Sequence, residues 1–220
     1  MSLEAENGAL LGGEGALVAK LGTCRATLRQ AARLLEREGL LKVQRGIRGG
    51  YFAARPGVNT FEHAVGTYLE THDVDPEDIT AVTSVLWIEV MRRAAGMRTE
   101  EAKALAEHFC TKVEALRPDA SWDDVLEITM DFRRAIVELV KSRYIELILN
   151  INVASTYQKA LPNSADSCDT STHREFVRAW RRAMLVELQA ISAGDPELAV
   201  IAARRARAIW HRRVWGHDYS

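Results

Sequence analysis

EGALVAKLGTCRATLRQAARLLEREGLLKVQRGIRGGYFAARP, residues 14–56, decides how this chain is to be read. Residues 14–21 form a short amphipathic helix with Leu17, Val18 and Leu21 as its stripe. Gly22 follows, where a chain can reverse at no steric cost. A second helix starts near Thr23 or Cys24, with Leu28, Ala31, Leu34 and Leu35 at helical spacing. Arg25, Thr27 and Arg29 lie on its other face. Two short helices joined by a glycine turn, the second opening with Arg and Thr, are helix-turn-helix grammar. Leu40–Arg45 and Tyr51–Ala54 are strand candidates on either side of Gly46-Ile47-Arg48-Gly49-Gly50. That pattern reads as a hairpin whose tip carries glycines and arginines. Guanidinium suits guanine acceptors in the major groove and the negative potential of a narrow minor groove.

Working outward, Arg55-Pro56-Gly57-Val58-Asn59 is a breaker cluster. Beyond it the periodicity is helical throughout, over 59–72, 76–95, 99–116, 121–141, 143–160, 171–193 and 195–214. Asp75, Ser121 and Asp195 stand as N-caps, with Pro at the first helical position after both aspartates. Residues 161–170 read as one long loop. The expected fold is mainly α: an N-terminal winged helix-turn-helix over residues 1–57, then an all-α bundle over 58–220. A length of 220 residues suits two unequal domains.

The net charge of −1 conceals an asymmetry. Residues 1–58 carry a net +4 and the rest a net −5, so the basic charge sits with the helix-turn-helix. The longest apolar run, Ile145–Ile151, is far short of the roughly 20 residues that span a bilayer, so no membrane association is expected. Cys24, Cys110 and Cys168 are widely spaced, without a CxxC, which favours a reducing, cytoplasmic setting. Enzyme motifs are missing: Gly12-Gly13-Glu14-Gly15 lacks the Lys-Ser/Thr of a phosphate loop, and no helix of the dinucleotide type follows Gly46–Gly50. No enzymatic role and no cofactor are expected.

Residues 10–56 closely resemble the winged-helix domain of GntR-type bacterial transcriptional regulators. The resemblance implies that Arg25, Thr27 and Arg29 lie where the family's recognition helix meets operator DNA, and that Arg45 and Gly46 fall where the wing enters the minor groove; Thr23, Cys24 and Arg48 beside them complete the expected DNA-binding set. Cys24 replaces the usual Ser or Thr and Gly15 a common basic residue, which points to an altered operator or weaker binding. Relatives begin with a further helix, for which the seven residues before Gly8 leave no room; the expectation is a fragment of a longer or tandem-unit parent.

The helices after the wing resemble the FadR-like branch, through the helix around Phe132, the junction Ala190–Asp195 and the last helix. Many relatives hold a metal there with one Asp and three His. By position those ligands become Thr129, Arg133, Met184 and Ala206, a set that makes no metal site, and the six His show no ligand spacing. No metal is expected. On the helical wheels Arg133, Glu187 and Arg205 fall within or beside apolar arcs. Either they line a cavity with Thr129 and Met184 that takes a small, acidic effector, or they face a dimer interface, or their stems snorkel. The function expected is a homodimeric, ligand-controlled regulator, a repressor, bound to a palindromic operator in double-stranded DNA. The alternative is an interaction protein whose winged helix no longer reads an operator.

Overall fold

The computed structural model describes residues 4–46, 49–159 and 170–217, with the expectations for Arg48, Cys168 and the 161–169 loop lying outside them. Two compact units divide the chain, residues 1–68 and 69–220. The division falls inside a helix, Val58–Thr71.

The first unit runs β1 (Leu10–Gly12), α1 (Glu14–Leu21), α2 (Arg25–Arg37), β2 (Leu41–Gln44) and β3 (Gly50–Ala53), and α3 (Val58–Thr71) begins in it. The expected hairpin is there: β2 and β3 pair antiparallel, Leu41 opposite Ala53 and Gln44 opposite Gly50. A third strand adds to it, β1 pairing with the other edge of β3 in the order β1-β3-β2. The core is Leu17, Leu28, Ala32, Leu41 and Tyr51. The stripe expected on α2 is therefore corrected: Leu28 and Ala32, one turn apart, are buried, while Ala31, Leu34 and Leu35 are exposed. An eight-residue α1 and short strands cover only a narrow line of α2. Across the end of α2, Glu36 Oε1 accepts the Val43 N–H at 2.8 Å and fixes the sheet to the helix.

The second unit is a helical bundle: α4 (Pro76–Met97), α5 (Glu100–Ala115), α6 (Trp122–Val140), α7 (Arg143–Lys159), α8 (Thr170–Ala193) and α9 (Pro196–Trp215). The caps are those the sequence marks. Asp75 accepts the Glu77 N–H, Ser121 and Asp124 close a capping box, and Asp195 accepts from Glu197 and Leu198. Helices α4 and α9 meet through small residues, Ala94 and Ala95 on one and Ala199, Ala203 and Ala206 on the other, all buried. Phe132 and Ile136 of α6 and Trp180, Leu188 and Ile191 of α8 fill the remaining core. Trp87 and Phe109 both meet the Phe132 ring edge-on, at 5.8 and 5.1 Å between centroids. Among the described residues no helix is long and apolar enough to cross a membrane.

Candidate functional site

Each unit offers one site. In the first, α2 begins at Cys24, whose extended backbone places it at the N-cap. Its thiol lies 3.2 Å from Thr27 Oγ1, and the Thr27 and Ala26 N–H groups point at the sulfur without the geometry of a full capping bond. The hydrogen bond from Thr27 favours the thiolate and lowers the Cys24 pKa from its ordinary value. The orphan N–H groups of the first turn lack the oxygen that Ser would bring, so Cys24→Ser is expected to stabilise this helix start by about 1 kcal/mol. Amide hydrogen exchange at Ala26 and Thr27 would then slow about fivefold; an unchanged rate rules the missing cap out as a weakness.

Arg25, Thr27 and Arg29 are exposed on the first turns of α2, and Thr23 is half-buried before them. Arg29 is held in place: Nε and Nη2 donate to the two carboxylate oxygens of Glu14 at 2.9 and 3.0 Å. Arg25 Nε lies 3.6 Å from the same carboxylate. Those hydrogen bonds from Arg29 hold the Glu14 carboxyl below its usual range. Sequence reading did not single out Glu14, which is distant in sequence and becomes visible only once α1 packs across α2. Between α2 and the wing lies a groove of about 670 Å³, lined by Arg29, Arg33, Arg45 and Gly46 together with Glu14 and Glu36. Arg45 and Gly46 are exposed where the wing leaves β2. Gly49 serves the wing itself: a Cβ there would stand 2.4 Å from the Gln44 carbonyl oxygen and 2.8 Å from that of Gly46. The close backbone approach that this glycine permits is therefore an approach of the wing to itself.

In the second unit, α4, α6, α7, α8 and α9 line a cavity of about 110 Å³. Thr129 and Arg133 of α6 and Met184 and Glu187 of α8 all line it, as does Ala206 of α9. Arg205 does not: it is exposed, and Arg207 lines the cavity in its place. The two arginines flank the buried stripe of Ala199, Ala202, Ala203 and Ala206 on opposite sides. The flank of Arg207 faces α4, where its Nε donates to Ser84 Oγ at 3.1 Å.

Glu187 is buried, 3% exposed, and its Oε1 accepts Trp87 Nε1–H at 2.9 Å. Burial raises its carboxyl to about pH 7, with the Trp87 hydrogen bond and the charge of Arg207 opposing the rise. The electrostatic partner of Glu187 is therefore Arg207; Arg133 Nη2 lies 3.5 Å from Asn150 Oδ1. Trp87 belongs to the core and is also a wall of the cavity and the donor to its carboxyl.

Residues 78–207, more than half of the chain, match the FCD domain, and this stretch contains all but the far end of that cavity wall. The chain belongs to the FCD-domain family. With a winged helix ahead of the FCD domain it has the build of GntR-type regulators. No curated protein matches the chain. Among solved structures, a GntR protein of Streptococcus agalactiae superposes with a TM-score of 0.52 at 17% identity, covering 93% of this chain and 91% of its own. McbR/YncC of E. coli (TM-score 0.48, 17% identity, 94% and 87% covered) is a looser likeness. So is a GntR family member of Pseudomonas syringae pv. tomato (0.37, 16%, 94% and 77%).

The FCD domain's resemblance-implied metal does not fit the residues present at those four positions. The Thr129 hydroxyl donates to the Val125 carbonyl at 2.8 Å, Arg133 is a cation, Met184 offers a thioether and Ala206 offers nothing. What this FCD cavity presents instead is two guanidinium groups and one carboxyl among apolar walls that include Leu126, Met130 and Trp180.

Proposed function

We propose that the chain is a sequence-specific, cytoplasmic DNA-binding repressor that acts as a homodimer on a palindromic operator and answers to a small carboxylate held in the FCD cavity. The observation that carries the reading is the exposed pair Arg25 and Arg29 on the first turns of α2, with Arg29 oriented by Glu14 beside the wing. Thr23, Cys24 and Thr27 would line the same major-groove segment, and Arg45, Gly46 and Arg48 would reach the adjacent minor groove. Two heads related by a two-fold axis would read two half-sites.

The cavity supports the effector class. At about 110 Å³ it exceeds the roughly 10–15 Å³ that one water needs and approaches the ~150 Å³ of a benzene-sized cavity. A ligand with one small ring or a short chain would rest on the apolar walls while Arg133 or Arg207 takes its carboxylate. Thr129, Met184 and a protonated Glu187 would complete the contacts. Binding would favour one spacing of the two heads over another and so shift operator affinity.

Selection of duplexes from a random pool by the full chain tests the DNA reading. It is expected to enrich one two-fold symmetric sequence, whose affinity then falls when a small aromatic or aliphatic carboxylate is added. A pool that shows no enrichment would establish the winged helix as a protein-interaction module.

A further inference from the structure

Glu77, His211 and His217 stand apart from both sites. Glu77 is the second residue of α4, its backbone N–H donating to the Asp75 cap at 2.9 Å. His211 is on the last turns of α9, wholly buried. Past Trp215 the chain turns back through Gly216, in the left-handed region at φ 80°, and brings the His217 ring to 5.2 Å from the His211 ring, edge-on. One donor atom of each residue lies within 4.8 Å of the other two.

The hydrogen bonds define the chemistry of this cluster. His211 Nδ1 is 3.0 Å from the backbone carbonyl oxygen of His217, which can only accept, so Nδ1 carries the hydrogen. His211 Nε2 faces Glu77 Oε1 at 2.8 Å, a contact that a proton bridges and that a metal ion displacing that proton would take over. Such an imidazole, its far nitrogen fixed on a carbonyl, is the usual form of a metal ligand. His217 Nε2 approaches the other carboxylate oxygen, Glu77 Oε2, at 3.4 Å. Bonds near 2.1 Å around a tetrahedral ion place neighbouring donors about 3.4 Å apart, which the His217–Glu77 contact matches and the His211–Glu77 contact, at 2.8 Å, would have to widen to reach. The stretch Asp73-Val74-Asp75-Pro76-Glu77-Asp78 brings four acidic side chains to the α4 side of the cluster, while Arg212 and Arg213 follow His211 on the other helix.

The geometry points to a divalent transition-metal site formed by Glu77, His211 and His217, with the two imidazoles and one carboxylate that suit Zn²⁺ or Ni²⁺. It revises the expectation of a metal-free chain. The spacing of His211 and His217 gives no sign of it, because one residue ends a helix and the other lies beyond a turn, and Glu77 is distant in sequence. A metal here fastens the start of α4 to the end of α9. Thr80 and Arg207, about one turn further along the same two helices, line the FCD cavity, so the ion stiffens one end of it.

The test is equilibrium dialysis of the full chain against Zn²⁺ alone, after stripping with a chelator, at neutral pH. The chain is expected to retain one equivalent, with an upward shift in Tm. His217→Ala keeps the backbone carbonyl that orients His211, so its metal-free Tm should match the parent's while its zinc affinity falls at least tenfold. Glu77→Gln should lose affinity likewise, and Glu187→Gln should retain it. Absence of stoichiometric zinc from the parent chain overturns the site and leaves a proton between Glu77 and His211. Undiminished binding by both His217→Ala and Glu77→Gln, or loss of binding in Glu187→Gln alone, overturns it too.

Discussion

Arg29→Ala is expected to lower affinity for the selected operator by roughly 30-fold to 10⁴-fold while leaving affinity for unrelated duplex within a few-fold of the parent. A bidentate arginine–guanine contact is worth about 1–3 kcal/mol, and a two-fold symmetric complex makes it twice. The structure adds a reason to place Arg29 at the upper end. Its guanidinium is already fixed by both oxygens of Glu14, so less side-chain freedom is lost when it meets a base. Arg25, at 3.6 Å from the same carboxylate and more exposed, should show the same pattern with a smaller loss on substitution by Ala. Fluorescence anisotropy at two salt concentrations separates the possibilities. A parallel loss of specific and nonspecific binding would make Arg29 a phosphate contact. An unchanged affinity for the operator would remove α2 as the reading helix.

Features that depend on neighbouring residues were legible in the chain itself. Asp75, Ser121 and Asp195 cap their helices because capping is decided within three residues. Thr129, Arg133, Met184 and Glu187 line one cavity, in keeping with their helical phase and with the positions that the resemblance implied. Phase alone failed at Arg205 and Arg207. Both border the alanine stripe of α9, and only the placement of α4 decides which border is inside. Strand β1 escaped notice because Leu10-Leu11-Gly12 is too short to carry a period and becomes a strand only beside β3. Long-range pairs escaped for a plainer reason. Trp87 with Glu187, Glu14 with Arg29, and Glu77 with His211 and His217 are joined by packing, and nothing in local spacing announces them.

Glu187 gives the second large effect, on stability. In the folded chain its carboxyl keeps its proton up to about pH 7, against an ordinary value of 4.5. Between those two values unfolding releases a proton, so rising pH favours the unfolded state. The parent should therefore lose stability from about pH 4.5 to pH 7 and level off above it, by about 3 kcal/mol from this residue alone. Other carboxylates act in the opposite sense: Arg92 and Arg93 hold Glu89 down at about 2, so its contribution is complete at pH 4.5 and is lost as pH falls towards 2. Comparing the parent with Glu187→Gln cancels these other groups. The amide keeps an oxygen for the Trp87 N–H but cannot ionise, so denaturant unfolding of the two chains should run parallel near pH 4 and diverge by about 3 kcal/mol by pH 8, in favour of Gln. Tryptophan fluorescence follows the transition of the bundle, where Trp87 and Trp180 are buried. A constant difference across the range would mean that Glu187 ionises in the folded chain as freely as in the unfolded one, through water or a bound cation. A carboxylate ligand in the same cavity should push the Glu187 transition higher still, because a second negative charge beside it favours the protonated form. The pH dependence of ligand affinity therefore carries the same sign: tighter below pH 7, weaker above it, and flat in Glu187→Gln.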